Sequence, residues 1–374
     1  MHLDGDYYVV NLDKEKESSI SLSSLIKCIQ TIILETNDEC LIGNIDELQV
    51  FDGNLYVLDS DKAKSLFVFD KKGIFLRKIG RVGQGPGEYI SPRDFTLDLE
   101  NRIIYILDQR NRILKYNTEG TPIETIEVQL NSSRIDAIQY YNGKLYAYYV
   151  SWEKSDENCL LLEIDKENGR IISRSLSLEL NKGSIIPFRM ESRIFMSRGN
   201  TPPRFNLMFM DYIVSIGEKI MPYVELKSKN LTTERDIENF RGVDNRTINT
   251  VNNIRSSNKL FNVHCFIENE EFMCFRHGIF YSSPVVLVDK QTGNTKLANK
   301  LTNDMIFNQD KIGRFGRFIF ADTKGAYEVL HSLAIEGFQQ SIRNKETVPD
   351  LDKADELLKL EADANPVIFY YEFK

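Results

Sequence analysis

The chain has 374 residues, 42% apolar and 27% charged, the composition of an ordinary globular protein able to bury a sizeable core. Lys and Arg number 47 against 55 Asp and Glu, giving a net charge of −8 and a pI near 5.3. This excludes generic binding to nucleic acid or to an anionic membrane, both of which need a positive field. Apolar runs such as PVIFYY (366–371) fall far short of the roughly 18–20 residues that span a bilayer. The N-terminus, MHLDGDYYVV, shows no charged segment followed by an apolar one, so no signal peptide is expected in this sequence.

Residues 1–44 read as strands or short connectors: YYVVNL (7–12), ISLSSLI (20–26) and CIQTIILET (28–36). A repeating grammar then begins. In the first unit, from Ile45 to Gly80, a Phe51-Asp52-Gly53-Asn54 turn leads into LYVLD (55–59). LFVFD (66–70), the turn Asp70-Lys71-Lys72-Gly73 and IFLRKIG (74–80) follow. LYVLD and LFVFD carry apolar residues at odd and even positions alike, which predicts strands buried on both faces. The turns use Asp, which folds back on its own backbone, and Gly, which takes positive φ.

The second unit runs from Arg93 to Val128 and the third from Asp136 to Leu178. Asp108 falls 49 positions after Asp59, Gly120 falls 47 after Gly73, and Gly169 falls 49 after Gly120. Four short strands recurring at about 48 residues predict a propeller rather than a sandwich, which needs no fixed spacing. From Asn181 the repeat blurs. SRIFMSRG (192–199) and RFNLMFMDYIVSIG (204–217) read as strands, LTTERDIENF (231–240) as a short surface helix or inserted loop, and 259–278 as a hairpin. SPVVLVDKQTG (283–293) restores the signature, with Gly293 in the place of Gly73. RFGRFIFAD (314–322) is strand-like. Ala326, Val329, Leu330 and Leu333 have helical spacing, as do Leu351, Leu357 and Leu358. The closing NPVIFYYEFK is a strong strand opened by Pro366. Strong strands at both termini are what ring closure needs, because an open ring leaves free edges. The expectation is therefore all-β: one six-bladed β-propeller of four-stranded blades over residues 1–374, with short helical insertions. Strand 367–373 should complete a blade together with N-terminal residues.

The segments YVVNLDKE, IILETNDECLIGNIDEL, LYVLDSD, FDKKGIFLRKIGRVGQGPGEY and NPVIFYYEFK resemble the six-bladed β-propeller proteins of Bacteroidetes, related to NHL-repeat propellers. The likeness spans essentially the whole chain and is most specific at 30–97 and 365–374. It implies an exported protein of the cell envelope, often a lipoprotein held by a lipid-attached Cys. Membrane contact would then come only through an anchor that this sequence lacks. The resemblance brings no reaction that maps onto individual residues.

Local chemistry is sparse. GRVGQGPGEY (80–89) is glycine-rich, but a dinucleotide fingerprint or P-loop must open a helix. Here Pro86 interrupts and a strand follows, so the stretch reads as an inter-blade crossover whose Arg81, Gln84, Glu88 and Tyr89 could line a rim. The histidines His2, His264, His277 and His331 form no local zinc pattern, and no metal or other cofactor is assigned. Arg276-His277-Gly278 ends a strand, where ligand-facing residues often sit. Arg189, Arg193, Arg198 and Arg204 form a sparse basic set suited to carboxylates or phosphates. Trp152, in a polar loop, could stack on a sugar or peptide. The candidate ligand-binding set is Arg81, Glu88, Tyr89, Trp152, Arg198 and His277, with no catalytic residues.

Five cysteines, Cys28, Cys40, Cys159, Cys265 and Cys274, form no CxxC pair and read as small apolar strand residues. In the 259–278 hairpin a turn centred on Asn269 and Glu270 would set Cys265 opposite Cys274, with Cβ atoms roughly 4.5–5.5 Å apart. A disulfide there would need local closure. The leading functional expectation is a non-catalytic binding or scaffold protein, holding a peptide, glycan or protein partner through loops on one face. The alternative is a propeller hydrolase, lactonase or lyase with a divalent metal in its central channel.

Overall fold

The structure, a computed structural model, describes residues 7–130, 133–151, 159–177, 195–196, 201–207, 210–233, 235–236, 239, 253, 256–257, 259–260, 262–278, 283–308 and 318–374. Five four-stranded sheets and one of four strands extended by a fifth at its edge form the six blades of a β-propeller. Three strands precede them: β1 (Tyr8–Asn11), β2 (Ile20–Ser21) and β3 (Ile26–Ile33). Blade I is β4 (Glu47–Phe51), β5 (Asn54–Asp59), β6 (Ser65–Phe69) and β7 (Phe75–Ile79). Blade II is β8 (Pro92–Asp98), β9 (Ile103–Asp108), β10 (Arg112–Asn117) and β11 (Pro122–Glu127). Blade III is β12 (Ser133–Tyr141), β13 (Lys144–Ser151), β14 (Cys159–Ile164) and β15 (Ile171–Ser177). Blade IV is β16 (Phe195–Met196), β17 (Arg204–Phe205), β18 (Tyr212–Ile216) and β19 (Ile220–Lys227). Blade V is β20 (Val263–Glu268), β21 (Phe272–His277), β22 (Val285–Asp289) and β23 (Thr295–Ala298), followed by the short β24 (Leu301–Thr302). Blade VI is β25 (Phe318–Ala321), β26 (Gly325–Leu330), β27 (Val367–Phe373) and the N-terminal β3. Two helices, α1 (Ser332–Arg343) and α2 (Ala354–Leu357), lie between β26 and β27.

The two ends of the chain close the ring as expected, with one refinement. β27 is an interior strand, paired with β26 (Tyr370 opposite Tyr327) and with β3 (Tyr370 opposite Gln30). β3 is the outer strand. The residues before it run along the outer edges of the preceding blades. β1 lies parallel on β19 (Tyr8 opposite Val224), Glu17 bridges Ala298 of blade V, and β2 lies parallel on β24. Backbone groups that would otherwise be open strand edges are thereby paired.

Six apolar clusters fill the six junctions between neighbouring blades. Tyr56, Leu58, Leu66 and Val68 of blade I meet Phe95, Ile104 and Ile106 of blade II, for example. Phe67 and Phe69, on alternate faces of the same strand as Leu66 and Val68, pack with Ile368 of blade VI. Both faces of the middle strands are buried because each face meets a different neighbour. Each such phenylalanine contributes about 1.5–3 kcal/mol. The repeated glycine has a related cause. Gly73 has φ +91°, and a Cβ there would lie 2.1 Å from the Ile33 carbonyl oxygen of the preceding blade.

Two readings are corrected. Ala326, Val329 and Leu330 lie on strand β26, and the helix begins only at Ser332, leaving Leu333 exposed. A strand buried on both faces has apolar residues at consecutive positions, so helical spacing can be picked out of it by chance. In the blade V hairpin the turn is Glu270-Glu271, with Glu268 opposite Met273 and Ile267 opposite Cys274. A β-bulge between His264 and Ile267 absorbs Cys265, whose φ is 53°. Cys265 therefore does not face Cys274, and the two form no disulfide. Of the short surface helix or inserted loop expected over 231–240, residues 235, 236 and 239 are helical, and 234, 237, 238 and 240 lie outside the described residues. Among the described residues no helix is long and apolar enough to cross a membrane.

Candidate functional site

The two ends of the ring differ. At one end the first and second strands of a blade are joined by short turns: Asp52-Gly53, Asn142-Gly143, Glu270-Glu271 and Thr323-Lys324. Asp52 and Gly53 have φ of 54° and 74°, and Asn142 and Gly143 have 48° and 80°, the primed-turn backbone that suits a twisted hairpin. The longest connections among the described residues lie at the other end, where each first strand starts and each second strand finishes. They include 34–46, 80–91 and 331–366, the last carrying α1 and α2. Long loops on a rigid scaffold are where binding groups concentrate.

This end is fastened from beneath by the aspartates that mark the repeat. Asp59 is buried and accepts the N–H groups of Gly43 (2.7 Å), Asn44 (3.2 Å) and Lys62 (2.8 Å). Asp108, 49 residues later, accepts those of Ile90 (3.1 Å) and Ser91 (2.7 Å) and pairs with Arg112 at 2.5 Å. Each therefore ties the end of a second strand to the loop entering the first strand of its own blade. The innermost strands are tied around the axis as well. Gln49 Nε2 donates to the Phe95 carbonyl (2.7 Å), Ile138 N–H to Asp94 (2.8 Å) and Tyr140 N–H to Thr96 Oγ1 (2.9 Å).

The structure places the sequence-derived candidates as follows. The 80–91 loop folds on itself: Gly83 N–H donates to the Tyr89 carbonyl and Tyr89 N–H to the Arg81 carbonyl. Glu88 accepts from Gly85 N–H at 2.8 Å and from Arg81 Nε at 2.6 Å. The Gly85 backbone bond, followed by Arg81, holds its carboxyl below the usual range. Arg81 is exposed. Tyr89 is fully buried, donating its hydroxyl to the Ile79 carbonyl (3.2 Å), and burial pushes that hydroxyl up to about 12. Tyr89 is thus a core residue under the rim, not on it. Trp152 and Arg198 lie outside the described residues. His277 is the last residue of β21 and is 2% exposed.

His277 stands where the repeat has its fastening aspartate. β5, β9 and β21 are each six residues long and end in Asp59, Asp108 and His277. Neither ring nitrogen of His277 has a hydrogen-bond partner among the described residues. Burial, and then the neighbouring His264, lower its pKa to about 3, so the ring is neutral near pH 7.

Arg276, the preceding residue, is 4% exposed. Its Nη1 donates to the Ser283 carbonyl at 2.9 Å, and its Nε finds no acceptor among the described residues. Only three cationic side chains are buried among those residues: Lys115, Arg204 and Arg276. Lys115 sits between Glu124 and Glu167. Arg204 pairs with Glu268 at 2.8 Å and stacks on the Tyr223 ring, 3.5 Å from its centroid. Arg276 has no carboxylate within ion-pair distance among the described residues. Across the ladder from Arg276 is His264, whose Nδ1 lies 3.5 Å from the half-buried Cys265 thiol on the innermost strand. Burial pushes the Cys274 thiol up to about 12, which makes it an inert core group.

This corner of blade V can donate hydrogen bonds and positive charge without answering them. Its sequence signal was the substitution of Arg-His for the Leu-Asp that ends the second strand in units one and two. That Arg276 is buried without a counter-charge carried no signal of its own, because burial without a partner is a tertiary property. Among the described residues no three His, Cys, Asp or Glu side chains are grouped to hold a metal ion.

Solved structures share this fold. A protein assigned as exported, from Bacteroides fragilis, superposes with a TM-score of 0.74 at 18% identity, covering 98% of this chain and 99% of its own. A member of the DUF4221 family from Bacteroides vulgatus superposes with a TM-score of 0.55 at 11% identity, covering 94% of this chain and 97% of its own. No curated protein matches the sequence. The sequence profile of a domain of unknown function, DUF4934, matches residues 7–372, and this six-bladed propeller belongs to that family.

Proposed function

We propose that the protein is a non-catalytic binding protein of the cell envelope, presenting the long-loop end of its ring to a peptide, glycan or protein partner. The observation that carries this reading is the asymmetry of the ring. One end is closed by tight turns, while the other gathers the longest connections, with α1 and α2, over an aspartate-fastened base. A rigid base lets loops hold a partner at small ordering cost. The exported assignment of the similar Bacteroides fragilis protein supports the envelope location.

The test is cross-linking in intact cells of the native host, followed by mapping of the linked residues. The expected result is a protein in the envelope fraction with cross-links in loops 34–46, 80–91 and 331–366 and none at Asp52-Gly53 or Asn142-Gly143. Links confined to the tight-turn end would overturn it. Turnover of ester or lactone substrates by protein holding a stoichiometric divalent metal would replace it with the hydrolase reading.

A further inference from the structure

We propose that Arg276 anchors a recessed oxyanion site at the blade V corner of the long-loop end, taking the carboxylate or phosphate group of a ligand. This deepens the binding reading and rests on it for the ligand's arrival at that end. A guanidinium cannot shed its proton to escape burial, as a lysine or histidine can. Buried without a counter-charge it is strongly unfavourable, and natural proteins pair such groups. Among the described residues the rule holds at Lys115 and Arg204 and fails at Arg276.

The geometry favours an oxyanion over other fillers. Ser283 engages Nη1 and thereby orients the planar group, while Nε is left without an acceptor. Such a fork matches the paired oxygens of carboxylate and phosphate. No carboxylate of the described chain has been brought there, although Glu268, on the strand paired with β21, is drawn instead to Arg204, Tyr223 and Lys290. His264 shares the sheet face of Arg276 as its ladder partner, and Cys265 beside it is half-buried on the innermost strand. The bulge holds Cys265 at a φ of 53°, a conformation unfavourable for a side chain with a Cβ.

The test uses the purified full chain and three salts at matched ionic strength: sodium chloride, sodium acetate and sodium phosphate. Thermal midpoints are recorded for the wild type and for Arg276→Met, which keeps the volume and removes the charge. Without acetate or phosphate the variant is expected to melt at or above the wild-type midpoint, since an unanswered charge has gone. With the preferred anion a hundredfold above its Kd, the wild type is expected to gain about 2–4 °C over chloride and the variant nothing. The response to acetate against that to phosphate tells which oxyanion the site prefers. A wild type that responds to neither, or a variant that responds equally, would overturn the proposal. A variant melting well below the wild type in chloride would also overturn it, showing a structural arginine. None of these outcomes touches the cross-linking pattern, so the broader binding reading stands or falls separately.

Discussion

Removing the His277 ring should change how the protein tolerates acid. The native ring is buried with neither nitrogen partnered among the described residues, and its pKa is lowered to about 3. In the unfolded chain it returns to about 6.5. Between these values the unfolded state binds a proton that the native state refuses. Stability is therefore fully present above about pH 6.5 and is lost as pH falls towards 3, at up to about 1.4 kcal/mol per pH unit. From pH 7 to pH 5 this one group costs about 2 kcal/mol. His277→Leu removes the effect, while His264, Arg276 and the carboxylates are common to both proteins and cancel in the comparison. The assay is urea unfolding of both proteins at pH 7 and pH 5. At pH 7 the variant should be as stable as the wild type or slightly more so, because two unanswered polar atoms have left the core. At pH 5 it should be the more stable by about 2 kcal/mol. Equal losses in the two proteins would refute the reasoning and show that the ring already finds a proton acceptor or water.

Removal of residues 366–374 deletes β27 from between β26 and β3, so the truncated chain should lose cooperative melting; a sharp transition within a few degrees of the wild type would contradict ring closure by this strand. Glu268→Gln deprives buried Arg204 of its carboxylate and should cost about 3–5 kcal/mol. The double change Arg204→Met with Glu268→Leu should lose less, and denaturant unfolding of both checks the order. Gly73→Ala drives a Cβ to 2.1 Å from the Ile33 carbonyl and should cost about 2–3 kcal/mol. Gly293→Ala, with φ +72° but no atom within 4 Å, should cost only the backbone strain of about 1 kcal/mol; equal losses would mean the close approach is relieved without energy.

The repeat was legible because each blade must solve the same local problem. LYVLD and LFVFD lie between two neighbours, so both faces are apolar; Gly73 and Gly169 recur because the turn is pressed against the preceding blade, with Cβ positions 2.1 and 2.4 Å from carbonyl oxygens. These are constraints on single residues, and they show in the order of letters. Ring closure was legible for the same reason, since a strong strand at each terminus needs partners. The same burial hid other features: consecutive apolar residues in β26 fitted a helical period equally well, and the blade V turn falls one residue later than expected, at Glu270-Glu271, which sets Ile267 opposite Cys274 with no glycine to mark it.

The candidate site was mostly not legible. Tyr89 reads like a rim aromatic and proves to be core, because its loop folds over it. Arg276 and His277 are ordinary letters at a strand end. What sets them apart is a balance of charges and hydrogen bonds across strands far apart in sequence. Glu268, only eight residues before Arg276, answers Arg204 from the neighbouring blade instead. The sequence by itself determined the blade, its turns and the number of times it is used, because those follow from local periodicity and backbone angles. Only the tertiary structure decided which buried charges are paired and which are left open, because pairing depends on distances that the chain acquires when the ring closes.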